Sequence, residues 1–171
     1  LYHSGCALKK HVQFMQEDAT EYDLYVSSSK TPDQPPTIMY KIDMRSAVLY
    51  EYWDIVVMQD GVFEIAQSSS YTMGNAQTLQ KFVEENKMNT SVRFAWHMTW
   101  VPPTDNTLRD TFPYEPNTYY SNYERYNHDR ATVYNAVAQC VKDHVETDDT
   151  FEFVIPSATA FENALSSYLE E

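Results

Sequence analysis

The sequence predicts an α/β domain with a mostly parallel sheet, and three observations carry that prediction. The first is the run Trp53-Asp-Ile-Val-Val-Met-Gln59, where the apolar stretch Ile55 to Met58 stands between an acidic residue and a polar elbow, Gln59-Asp60-Gly61. A short β-branched run of this kind reads as a central parallel strand buried on both faces. The second is that the pattern recurs. Val92-Arg-Phe-Ala-Trp-His-Met-Thr-Trp100 places His97 at its carboxyl end, and Phe151-Glu-Phe-Val-Ile-Pro-Ser157 ends in a proline and a serine. Three strands therefore direct polar residues to one edge, where an open α/β sheet presents its ligand. The third is that helical and strand patterns alternate through the second half, which calls for right-handed crossovers between parallel strands.

Taken in order, Gly5 to Asp18 opens with a turn and continues with Leu8, Val12 and Met15 at a spacing that suits a short helix. Tyr22, Leu24 and Val26 alternate as a strand or hairpin arm, and Lys30-Thr-Pro-Asp-Gln-Pro-Pro36 is a breaker-rich loop. Thr37 to Ile42 is a candidate strand, and Asp43 or Ser46 can cap a short helix leading to the Trp53 run. Ser68-Ser-Ser70 reads as loop, and Asn75 as the cap of a helix carrying Leu79, Phe82 and Val83. Pro102, Pro103, Pro113 and Pro116 mark a loop of about twenty residues, a length usually reserved for lids and other functional segments. Tyr119 to Val145 is expected as the longest helix, and Ala158 to Leu169 as a closing amphipathic one.

Composition narrows the function. With 171 residues, 43% hydrophobic and 15% aromatic, the chain can bury a core and is most simply one domain. A net charge of −13, with only 12 Lys plus Arg and no basic run, argues against nucleic acid or an anionic membrane as partner. No stretch approaches the ~20 apolar residues of a membrane span. Cys6 and Cys140 lack metal spacing and read as small buried hydrophobes, and the histidines lack mutual spacing for a metal; no metal or cofactor is expected. The chain opens at the tail of a strand and closes on a helix, which is expected of an internal piece of a longer polypeptide.

Four blocks in order, Gly5-Cys-Ala-Leu8 with His11, Trp53 to Gln59, Trp96-His-Met-Thr-Trp-Val101, and Ile155-Pro-Ser-Ala-Thr-Ala160 with Asn163, resemble a poorly characterised bacterial branch of the SGNH/GDSL hydrolase superfamily. The resemblance spans nearly the whole chain. It implies a three-layer α/β/α, flavodoxin-like domain over 1–171, incomplete at both ends, and ester hydrolysis through a serine nucleophile. The nucleophile would lie in a Gly-Asp-Ser or Gly-Asn-Ser turn and its base in an Asp-x-x-His; neither motif occurs in the chain. On this reading both belong to the parent polypeptide, and the 171 residues alone are expected to be inactive. Gly5 matches the family's second-block glycine, whose N–H helps bind the oxyanion. Gln59 stands where a third-block amide completes the hole, with Gln in place of the more usual Asn. The resemblance also implies a bacterial, exported protein.

Each candidate has a plainer alternative. Gln59 is either an oxyanion donor or a strand-end amide bonded to loop backbone. Gly5 is either a donor or a turn glycine. His97, between Trp96 and Trp100, either contacts substrate or is a hydrogen-bonded core histidine. His11 is expected to face the cleft, His3, His128 and His144 to lie at the surface, and Asp60 to be a solvated loop carboxylate rather than a general acid. Tyr114, Tyr119, Tyr120, Tyr123 and Tyr126, with Trp96 and Trp100, offer flat amphipathic surfaces suited to a sugar face or an acyl group. The expected substrate is therefore an O-acylated carbohydrate or another small ester, with Trp100, His97, His11 and Asp60 as candidate substrate contacts. The alternative is a noncatalytic binding module on the same fold.

Overall fold

A computed structural model describes residues 1, 3, 6–61, 65–66, 68–101 and 129–167. Within them the α/β prediction holds. Helix α1 (Leu8–Gln16) leads into an antiparallel hairpin, β1 (Tyr22–Val26) and β2 (Thr37–Ile42), followed by the short α2 (Met44–Val48). Strand β3 (Ile55–Met58), helix α3 (Met73–Asn86), strand β4 (Arg93–His97), helix α4 (Arg130–Cys140), strand β5 (Phe153–Ile155) and helix α5 (Ser157–Leu165) then alternate. Strands β3, β4 and β5 form one parallel sheet in that order. Gly5 and the long proline-marked loop, apart from Val101, fall outside the described residues.

The hairpin follows its alternation: Tyr22 and Leu24 turn inward and are buried. The register shifts between Tyr22 and Leu24, and Lys41 takes φ 53° opposite that shift. Its N–H reaches the Asp23 carboxylate at 3.4 Å. This is a β-bulge, which lets the strand bend and twist without losing the buried face. Asp43 caps α2, accepting the Ser46 N–H at 2.8 Å and the Ser46 hydroxyl at 2.7 Å, and these bonds hold its pKa below the usual carboxylate range.

The core lies against one side of the parallel sheet. Phe94 and Trp96 from β4 and Met58 from β3 are buried with Ala76, Leu79, Phe82 and Val83 of α3. Val133, Val137 and Cys140 of α4 join them at helical spacing, and Val141 and Val145 continue through a π-helical turn, Val141–Val145. Both cysteines are free and buried, as expected. Among the described residues no helix is long and apolar enough to cross a membrane.

Three expectations are corrected. β3 is not buried on both faces: Ile55 and Val57 are 37% and 48% exposed, because the described helices pack on the opposite face, where Met58 points. The cap position of α3 is Thr72, and Asn75 sits inside the first turn, donating its amide to the Thr72 hydroxyl. Helix α4 does not run from Tyr119 through Val145. Asp129, with φ −87° and ψ 109°, is non-helical and starts it by accepting the Ala131 N–H at 3.1 Å. His144 stays half-exposed, its ring stacked on Tyr71 and its Nε2 2.6 Å from the Ser68 hydroxyl.

Candidate functional site at the carboxyl rim of the parallel sheet

Parallel register decides which polar residues meet. Met58 is paired with Trp96, so Gln59, one step further, comes level with His97; His97 is in turn paired with Ile155, which Pro156 and Ser157 follow. Three side chains from three strand ends then form one hydrogen-bonded chain. His97 Nδ1 lies 2.6 Å from Gln59 Oε1, and His97 Nε2 lies 2.8 Å from Ser157 Oγ. Oε1 can only accept, so Nδ1 carries the ring proton and donates it. Nε2 is then bare and accepts the Ser157 hydroxyl proton. Burial lowers the His97 pKa, which favours this neutral ring at pH 7.

The backbone beneath is tightly bonded. The Met98 N–H donates to the Ile155 carbonyl at 3.0 Å, and the Ala158 N–H donates to the Met98 carbonyl at 3.0 Å. Helix α5 is held from its other side by the Arg130–Glu162 ion pair at 2.9 Å and by the Tyr134 hydroxyl on Thr159 at 3.0 Å. Strand ends joined this way fix where His97 and Ser157 point. Gln59 itself is exposed, and its Oε1 is the atom that meets His97. Trp100 is 47% exposed, and its ring meets His97 edge to face with centroids 6.2 Å apart. His97 thus bonds Gln59, and Trp100 lies beside His97.

Asp60 and His11 go elsewhere. Asp60 is not a solvated carboxylate but 1% exposed: Oδ1 accepts the Leu8 N–H at 3.3 Å and the Gly61 N–H at 2.9 Å. It caps α1 from across the chain, where Ala7 has no side-chain cap to offer. The turn after Gln59 also touches this helix start, since a Cβ on Gly61 would meet the Cys6 carbonyl oxygen at 3.4 Å. The segment entering α1 therefore lies beside the β3 rim. His11 packs inward, its ring stacked on Tyr22 at 5.6 Å and Nδ1 2.8 Å from the Tyr22 hydroxyl. Among the described residues no group of three or more His, Cys, Asp or Glu side chains gathers as a metal site. Sequence reasoning does not single out Ser157 as a site residue, although its place directly after the third apolar run is a usable signal.

A solved structure with a similar fold is known. It is a DUF4886 family protein from Bacteroides uniformis, 21% identical, with a TM-score of 0.76 over 98% of this chain and 58% of that one. The chain thus spans little more than half the length of that neighbour. No family profile matches the sequence, and no curated protein does.

Proposed function

We propose that this chain supplies the oxyanion-binding rim of a serine ester hydrolase of the SGNH type, on a three-layer, flavodoxin-like frame. The observation that carries the reading is Gln59 at the exposed carboxyl end of β3, its Oε1 engaged by His97 at 2.6 Å and its –NH₂ group left as a donor. A fixed amide donor on a sheet rim suits a carbonyl oxygen that gains negative charge as it is attacked. Contact between Cys6 and Gly61 supports the placement, because it brings the start of α1 to the same rim. The substrate is a small ester or an O-acylated carbohydrate, with the exposed Trp100 ring as the surface on which an acyl or sugar group rests. The nucleophilic serine and its histidine base belong to the longer parent polypeptide. There the serine attacks the carbonyl carbon, the histidine takes its proton and returns it to the departing alcohol, and water releases the acyl group.

Hydrolysis of p-nitrophenyl acetate by the intact protein tests the reading. Gln59→Ala should lower kcat by about 10²–10³, the cost of removing one strong oxyanion donor. An unchanged rate would remove Gln59 from the mechanism. A protein without hydrolytic activity that still binds acylated sugars would favour the noncatalytic module.

A further inference from the structure

Resting on that reading, we infer that His97 and Ser157 are positioning residues: a one-way relay, Ser157 to His97 to Gln59, holds the Gln59 amide with its –NH₂ group toward the substrate. An isolated glutamine amide can turn over and offer its oxygen to the oxyanion, which would repel it. Here the turn is coupled to two further hydrogen bonds. His97 Nδ1–H needs an acceptor and finds Oε1 at 2.6 Å; Ser157 Oγ–H needs an acceptor and finds Nε2 at 2.8 Å. If the amide flipped, Nδ1 would have to give up its proton and Ser157 its donor role, so all three groups would have to change together. Cross-bonding of Met98 with Ile155 and Ala158 keeps the relay's backbone in place. Support of this kind around a catalytic donor is what makes it preorganised.

Hydroxyl, imidazole and amide in a row also resemble a nucleophile, base and orienter, with Ser157 as the attacking group. The structure disfavours that assignment. The backbone N–H after a serine nucleophile commonly helps hold the oxyanion, but the Ala158 N–H is already committed to the Met98 carbonyl at 3.0 Å. Ser157 also sits in the first turn of α5, whose Thr159 is tied to Tyr134, so the segment is built for support.

The test combines an activity-independent readout with kinetics, both on the intact protein. Long-range ¹⁵N–¹H correlation should show His97 as the Nδ1–H tautomer near pH 7.5, and Ser157→Ala should convert it to a mixture of tautomers. His97→Ala should lower kcat on p-nitrophenyl acetate at least tenfold with KM unchanged, and His97→Gln, which keeps an N–H donor, should recover part of the loss. The His97→Ala/Gln59→Ala pair should be no slower than Gln59→Ala alone, since the two act as one unit. An Nε2–H tautomer, losses that multiply, or a fluorophosphonate adduct on Ser157 would each overturn the relay. If the protein hydrolyses no ester, the hydrolase reading fails and the tautomer alone decides the relay.

Discussion

Acidification should weaken this fold through His11, and the size of the effect follows from its surroundings. Burial against Tyr22, and secondarily the neighbouring His3, push the His11 pKa from 6.5 down to about 4, against a hydrogen bond to the Cys6 backbone that raises it. The unfolded chain takes up a proton near pH 6.5, whereas the folded protein resists doing so until about pH 4. Between those values the unfolded state binds more protons, so stability is complete above pH 6.5 and is lost progressively as the pH falls toward 4. At ~1.36 kcal/mol per pH unit the difference is worth about 3 kcal/mol. Urea unfolding of the wild type and of His11→Gln from pH 8 to pH 4 isolates this contribution, because every other titrating group is common to both. The variant should be the less stable at pH 7, having lost the face-to-face packing on Tyr22, and the gap should close by about 3 kcal/mol by pH 4. Parallel curves for the two proteins would refute the reasoning.

Two further outcomes are expected from buried groups. Asp60→Ala strips two backbone N–H groups of their carboxyl acceptor and uncaps α1, so it should cost about 2–4 kcal/mol and lower Tm by roughly 5–12 °C, measured by calorimetry. Asp60→Asn keeps one acceptor oxygen and should cost less; an alanine variant as stable as wild type would show that the cap is idle. Burial raises the Cys6 thiol to about 11 and the Cys140 thiol above its ordinary value. Both should therefore react slowly with Ellman's reagent at pH 8 in the native protein and rapidly in urea, and fast native labelling of either would contradict its burial.

Local chemistry makes much of this protein legible in its residue order. Asp43 caps α2 because its partner, Ser46, is three residues away. Tyr22 and Leu24 can be assigned to one buried face because strand geometry alternates whatever lies beyond it. Legibility ends where the partner is distant. Asp60 reads as a solvated loop carboxylate, since nothing nearby in sequence announces that Leu8, 52 residues back, needs an acceptor for its N–H. Val57 reads as core by composition, yet it stands on the exposed face, a fact set by where α3 and the other helices pack.

The sequence alone determined the parallel α/β class, the three apolar runs that become β3, β4 and β5, and the polar residues that end each of them. Those properties live in intervals of two to four residues, the range over which backbone geometry imposes its own period. Only the tertiary structure decided that Gln59, His97 and Ser157 are one hydrogen-bonded chain. They are separated by 38 and 60 residues, and it is strand register, set by hydrogen bonding between strands and by the packing of Trp96 and Met58 beneath, that brings them to one level.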